Sequence, residues 1–360
     1  KPGNKESQRV QEALFHEKQT LIENCLFGVD INPNSVKICR LRLWIELLKN
    51  AYYTSDSKFT ELETLPNIDI NIKQGNSLIS RFPLDADLSK SLKSIKYSID
   101  DYRAFVNNYK NATDKEVKRG FEKLIEQIKK DFRTEIGKND PKVMLMSKRS
   151  GELYNLLNQA RVSEPTEKEK KEQLKKKEKL ETEINKLARE IEEIKSSAIY
   201  KDAFEWRFEF PEVLDNEGNF IGFDVVIGNP PYIRQEEIKD QKNHFENNYE
   251  TYSGTADLYV FFVEKGFDIL MKSGHFCFIM PNKWMQSGYG KALRSFFLQN
   301  ELQSIVDFGD LQVFDGATTY PCIVNAKKET AKNIFYSASI KQLEFKNDFG
   351  SHVNSIINKM

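Results

Sequence analysis

Four consecutive residues, Asn229-Pro230-Pro231-Tyr232, carry the most chemical information in the chain. They follow Phe223-Asp224-Val225-Val226-Ile227-Gly228, a run that reads as a buried strand. Two successive prolines stiffen such a corner, because each ring holds φ at about −65°. On it, the Asn229 side-chain carbonyl and the Pro230 backbone carbonyl are two hydrogen-bond acceptors, and Tyr232 is an aromatic face. An exocyclic amine on a heteroaromatic ring is a poor nucleophile, since its lone pair is delocalised into the ring. Accepting both of its N–H bonds turns that lone pair towards an electrophile. Read alone, the same four residues also describe a plain rigid turn. Two further positions could bind a ligand. Asp30 closes the apolar run Cys25-Leu26-Phe27-Gly28-Val29, where an acid can accept from a pair of ribose hydroxyls or simply be solvated. Asn76, after Gly75, is an amide acceptor or a turn residue.

The elements that must position these residues alternate between strand and helix. A helix is expected over Ser7–Asn24, then a buried strand over Cys25–Asp30. A second helix starts at the Asn32-Pro33 punctuation. That helix carries Val36, Ile38, Leu41, Leu43, Trp44, Leu47 and Leu48 around much of its girth, which predicts deep packing. Ile68-Asp69-Ile70-Asn71-Ile72 alternates at period two and reads as a strand ending at Gly75-Asn76-Ser77-Leu78. Residues 81–200 change character. Val117, Phe121, Leu124, Ile125, Ile128, Phe132 and Ile136 predict an amphipathic helix. From Glu167 to Lys195 there are 19 charged residues in 29, ten positive and nine negative. Leu180, Ile184, Leu187, Ile191 and Ile194 form a seam within them. This is read as a solvated helical hairpin or coiled coil rather than a polybasic arm. From 201 on, strands and helices alternate again. Strands are expected at Gly222–Ile227, Gly274–Met280, Ser304–Phe308 and Tyr320–Val324, the last two as a hairpin-like pair. The predicted class is α/β, with a mainly parallel sheet covered on both faces.

Five ordered blocks resemble one family. They are Leu26-Phe27-Gly28-Val29-Asp30-Ile31-Asn32-Pro33, Gly75-Asn76-Ser77-Leu78, Phe223 through Tyr232, Pro281-Asn282-Lys283-Trp284, and Val313-Phe314-Asp315-Gly316-Ala317. Together they are similar to the adenine-specific (N6) DNA methyltransferase domain of type IIG restriction-modification enzymes. The resemblance implies a Rossmann-like S-adenosylmethionine-dependent core with a terminal antiparallel hairpin, interrupted by the helical insertion. It divides the chain into a cofactor-side half (1–80), the insertion (81–200), a catalytic half (201–345) and the start of a following segment (346–360). It implies that Asn229, Pro230, Pro231 and Tyr232 are catalytic, holding the amine of an adenine flipped from the duplex. Tyr232 and Phe314 would stack on that base. Asp30, Ile31, Asn76, Ser77 and Leu78 would bind S-adenosylmethionine, Asp30 through the ribose. Asp257-Leu258-Tyr259 would line the pockets, and Lys283 and Trp284 would lie at the sheet edge within reach of DNA. The partner implied is double-stranded DNA, in a restriction-modification or phage-defence protein. One departure stands out. The family's first glycine-rich motif should precede Asp30, but Lys1 to Asn24 holds a single glycine, Gly3. With an opening lysine in place of Met, this is read as truncation at the N-terminus. A target-recognition domain and a nuclease motif are not recognised either. Glutamine methylation in proteins, cytosine amino methylation and a catalytically incomplete DNA-binding module are the alternatives.

Composition narrows the setting. Lys plus Arg and Asp plus Glu are 54 each, so any nucleic-acid site must be a local patch and not a global field. Four cysteines without a CxxC speak against a zinc site or disulfide framework and suit a reducing cytoplasm. No apolar run of about 18 residues predicts a membrane span. No metal site is expected.

Overall fold

The computed structural model describes residues 5–85, 96–159, 167–196, 198–316, 319–332, 334–344 and 348–359. Ala317 of the fifth block lies outside them, as do the side chains of Ile136 and Ile194. The chain divides into two compact units, Lys1–Asn219 and Phe220–Met360.

The first unit opens with α1 (Lys5–Cys25), β1 (Gly28–Asp30), α2 (Pro33–Leu48) and β2 (Ile72–Gln74). β1 and β2 pair in parallel, Gly28 opposite Ile72 and Asp30 opposite Gln74, so α2 is a crossover helix. Asn32 caps α2, accepting from the Asn34 N–H, with Pro33 in the first turn. The first strand is shorter than expected because α1 runs on through Cys25. The period-two stretch also behaves differently. Ile68–Ile70 forms a 3₁₀ turn, and only Ile72–Gln74 pairs as a strand. The cause is Asn71, which is buried and donates its amide to the carbonyls of Ile22, Glu23 and Leu26 (3.2, 2.7 and 3.2 Å). It thereby satisfies orphan carbonyls at the end of α1 instead of lying on a pleated face.

Packing of α2 is one-sided. Leu47 joins Phe15, Ile22, Tyr52 and Ile68 in a core cluster, with Leu43 and Trp44 against it. Ile38 and Leu41 on the other side are 58% and 53% exposed. The deep packing expected of this helix is therefore not found, because α1 and the following loop cover only one side.

Among the described residues the insertion holds four α-helices: α3 (Ile99–Asn111), α4 (Lys115–Asn139), α5 (Pro141–Gln159) and α6 (Glu167–Ser196). A Ser98/Asp101 capping box starts α3. On α4, Ile125, Ile128 and Phe132 are buried as the spacing predicts, whereas Val117 at its start is exposed. α5 and α6 pack as an antiparallel hairpin, with Leu180 buried in the seam and Ile184, Leu187 and Ile191 half-buried. The short α7 (Trp206–Glu209) closes the unit, and Phe204, Trp206, Phe208 and Phe210 are all buried. Beside them Glu209 receives Lys73 (3.1 Å), Lys129 (2.7 Å) and Arg133 (3.2 Å), joining β2 and α4 to α7.

The second unit runs β3 (Phe223–Gly228), α8 (Lys242–Asn248), α9 (Tyr259–Asp268), β4 (Leu270–Pro281), α10 (Gly290–Gln299), β5 (Asn300–Asp307), β6 (Pro321–Thr330), β7 (Tyr336–Ser339), α11 (Phe349–Ile356) and β8 (Asn358–Lys359). Its sheet has the order β3-β4-β6-β5-β7-β8. β3 is parallel to β4 and β5 to β7, while β6 runs antiparallel to both β4 and β5. β3, β4, β5 and β7 thus point one way. This is the α/β, Rossmann-like arrangement expected, with its antiparallel β5–β6 hairpin. Residues beyond 345 continue the same sheet: β8 pairs with β7, and Phe349 stacks on Phe308. β3 is an edge strand, not a buried one. Among the described residues it pairs only with β4, and Val225 and Ile227 are 57% and 79% exposed. Among the described residues no helix is long and apolar enough to cross a membrane.

Candidate active site

At the carboxyl end of β3 the chain leaves the sheet as an irregular segment over residues 229–234. Gly228 lies so close to β4 that a Cβ there would sit 2.9 Å from the Phe278 ring, so glycine is what allows the approach. Asn229 follows and is exposed, Pro230 is buried, Pro231 is exposed and Tyr232 is half-buried. The buried proline anchors the corner and leaves the asparagine beside it in solvent. Among the described residues no hydrogen bond engages the Asn229 amide, so its carbonyl is open to a ligand. The Tyr232 hydroxyl is buried and without a partner among the described residues. Burial, with Cys322 as a lesser cause, pushes its pKa up to about 12. Tyr232 is thus a neutral ring whose remaining exposure is aromatic.

The loop beyond Tyr232 is fastened to the start of α9. The Leu258 N–H donates to the Ile233 carbonyl (3.0 Å), and the Gln235 N–H donates to the Asp257 carboxylate (3.2 Å). Burial raises the pKa of Asp257, against the opposing pull of that N–H and of Lys283 and Arg234. Tyr259 is buried and its hydroxyl meets that of Tyr289 at 2.9 Å. Asp257-Leu258-Tyr259 therefore positions the corner. Ile233, Gln235 and Tyr289 were not legible as partners, since each contact joins residues at least 22 positions apart and none belongs to a spaced motif.

The neighbouring strand ends are also tied together. The Asn282 side chain donates to Asp307 (2.8 Å), linking the ends of β4 and β5, and the Gly309 N–H donates to the same carboxylate oxygen (3.1 Å). Lys283 is exposed beside them. Trp284 is buried and packs on Phe297, which makes it a core residue rather than a surface contact. Leu311 and Val313 pack on the cluster of Val306, Phe308, Ala338 and Ile340, and Phe314 after them is half-buried.

In the first unit, Asp30 ends β1 exposed, with Ile31 exposed beside it. One Asp30 oxygen accepts the Asn32 N–H at 2.7 Å, and the other accepts no hydrogen bond among the described residues. Asn32, not Asp30, caps α2. The turn after β2 is built more tightly. A Cβ on Gly75 would lie 2.7 Å from the Phe204 ring. The Asn76 side-chain oxygen accepts the Leu78 N–H (3.1 Å), an Asx-type turn, and Asn76 is half-buried. The Ser77 carbonyl accepts the Trp206 indole N–H (3.0 Å), and the Leu78 side chain is in the core. Asp30 and Ile31 are thus free for a ligand, Asn76 keeps its NH₂ and one lone pair, and Ser77 and Leu78 are largely spent on the turn.

Residues 24–314 match the model of the family described as Eco57I restriction-modification methylase. A protein of Methanocaldococcus jannaschii described as a type II restriction enzyme and methyltransferase is 27% identical over 97% of this chain and 30% of its own length. A type II methyltransferase of Geobacillus stearothermophilus is 38% identical over 29% of this chain and 19% of its own. The methyltransferase subunit of a type I restriction-modification system from Streptococcus thermophilus superimposes with a TM-score of 0.31, at 14% identity, over 38% of this chain and 30% of that one. The chain therefore spans less than a third of each of these relatives.

Proposed function

The chain belongs to the Eco57I restriction-modification methylase family, and from that premise we propose that it methylates the exocyclic N6 amine of adenine in duplex DNA, with S-adenosylmethionine as donor. The observation that carries this reading is the corner after β3: an exposed Asn229 with an unengaged amide, set on a buried Pro230 and followed by a half-buried aromatic ring. In this reading the Asn229 amide oxygen and the Pro230 carbonyl accept the two N–H bonds of the amine. The Tyr232 ring stacks on one face of the base and Phe314 on the other. The target leaves the duplex to reach them, at a few kcal/mol. Pro231 keeps the corner from relaxing as charge develops on nitrogen.

The residues of the first unit fit the donor by their chemistry. Asp30 has an oxygen available for ribose hydroxyls, Ile31 has an exposed apolar side chain for the adenine ring, and the Asn76 amide has polar capacity for the adenine edge. Ser77 and Leu78 hold the Asn76 turn in shape. The donor supplies a methyl carbon already activated by its sulfonium. The protein's part is to align the amine and accept hydrogen bonds from it, and alignment contributes about 7–11 kcal/mol in favourable cases. No strong general base is required, because the alkylated amine readily loses its extra proton to solvent.

The test is tritium transfer from S-adenosylmethionine to duplex DNA by the intact protein, followed by mass analysis of the nucleosides. Label in N6-methyladenine, and an Asn229→Ala variant slowed by about 10²–10³-fold with donor affinity kept, are expected. Normal turnover in that variant refutes the assignment. Label in N4-methylcytosine or in protein glutamine overturns the substrate.

A further inference from the structure

The charge of α6 sums almost to nothing along the sequence, but the hairpin sorts it by side. Two of the α6 acids are spent on α5: Glu183 pairs with Arg149 at 2.9 Å, and Glu190 pairs with Lys142 at 2.8 Å. Glu181, Glu183 and Glu190 are all half-buried. Among the described side chains of α6, six of the thirteen exposed positions carry cations and three carry acids. Lys171, Lys175, Lys179, Lys186 and Arg189 are exposed. At about 100° per residue these five fall within an arc of roughly 80°, opposite the Leu180 seam. Exposed Glu178 interrupts them on that side and Glu172 lies at its edge. Among the described residues Lys171, Lys175, Lys179 and Arg189 pair with no carboxylate, and Lys186 reaches Glu190 only at 4.0 Å. From Lys171 to Arg189 the stripe is about 27 Å long at 1.5 Å per residue. That is the length of about eight base pairs at 3.4 Å per step.

We propose that the solvent face of α6 is a track for the phosphate backbone of duplex DNA. This rests on the reading that DNA is the substrate. The chemistry is sequence-independent: flexible ammonium groups at one-turn spacing neutralise successive phosphates and position the duplex without reading bases. It also reconciles a chain of zero net charge with a polyanionic partner. The acids of α6 that face α5 fasten the hairpin, and the cations that face water are left for the partner.

The test is a binding experiment on the full chain without methyl donor, so that failure of the catalytic reading does not affect it. Fluorescence anisotropy with a 30-base-pair duplex is followed from 50 to 200 mM salt. In Lys171→Gln/Lys175→Gln/Lys179→Gln three phosphate contacts are lost, so the slope of log K against log salt becomes shallower by about 2.7. Over that fourfold range the wild-type affinity then falls about 40-fold further than that of the variant. The Lys→Arg triple variant keeps the wild-type slope. If the triple variant loses helical signal by circular dichroism, Lys175→Gln alone is used, with a slope change of about 0.9. An unchanged slope in a helical variant, or no binding by the wild type, overturns the track. Neither result bears on Asn229, whose loss is read by methyl transfer.

Discussion

Glu209→Gln tests whether α4 of the insertion is held to β2 by charge. The carboxylate is 14% exposed and receives Lys73 and Lys129, whose side chains are 11% and 8% exposed. Lys73 also donates to the Glu209 backbone carbonyl. Burial alone would raise the Glu209 pKa, but Lys73 and Lys129 outweigh it and hold it down at about 2. Relative to an ordinary value near 4.5, that shift corresponds to about 3 kcal/mol at neutral pH. The figure agrees with the roughly 3–5 kcal/mol lost when one partner of a buried pair is removed. The sign follows from the direction of the shift. A depressed carboxylate contributes fully above about pH 4.5, and its contribution fades as pH falls towards 2. Lys73 depends on the same contact, since burial and the neighbouring Lys129 lower its pKa to about 8. Urea unfolding at pH 7, followed by circular dichroism, should show Glu209→Gln less stable by about 3 kcal/mol. Lys129→Met in that background should restore at least about 1 kcal/mol, because one stranded cation is removed with its partner. A loss below about 1 kcal/mol, or no coupling between the two sites, would mean that the cations are solvated and that the network does not hold α4 to β2.

Two further predictions concern the site. Asp30→Asn should weaken donor binding about 10-fold by calorimetry and leave turnover at saturating donor unchanged; an unaltered affinity would remove Asp30 from the donor site. Tyr232→Phe should keep methyl transfer and match or exceed the wild type in thermal stability by up to about 1 kcal/mol, since it deletes a buried hydroxyl without a partner. Tyr232→Ala should lose transfer. Inactivity of the phenylalanine variant would assign the hydroxyl a chemical role and displace the stacking account.

Local signals in the sequence were reliable where one residue type has one structural use. Asn32-Pro33 marked the start of α2, and the seam from Leu180 marked the hairpin. β3 ends at Gly228, directly before the Asn-Pro-Pro run. Signals failed where a distant partner decides. Ile68 to Ile72 alternates like a strand, yet its first half became a 3₁₀ turn because buried Asn71 serves the carbonyls that end α1, some 45 residues earlier. α2 is apolar around much of its girth, and its depth could not be read from itself, because its neighbours cover only one side. The sign balance of α6 concealed a sided distribution, since the cations that pair with Glu183 and Glu190 at under 3 Å lie on α5.

The asparagines show how a site differs from its scaffold when residue type does not. Asn32 spends its oxygen on a helix cap, Asn71 spends its NH₂ on three carbonyls, Asn76 closes its own turn, and Asn282 joins two strand ends through Asp307. Each of these amides gains its hydrogen bonds from the fold, and replacing it would be felt first as lost stability. Asn229 is different. It stands at the end of a strand whose last four residues, 225–228, pair in continuous parallel register with β4, beside a buried proline, and its amide is left in water. An exposed polar group held on a rigid backbone gains little for the folded state by being there. What it gains is a fixed direction, which is what an acceptor for a reacting amine requires and what a loop asparagine free to rotate with its backbone would lack. The stiffness of Pro230 and Pro231 is therefore part of the chemistry: exchanging the exposed Pro231 for alanine, with buried Pro230 kept, should slow transfer while stability to urea changes by less than about 1 kcal/mol.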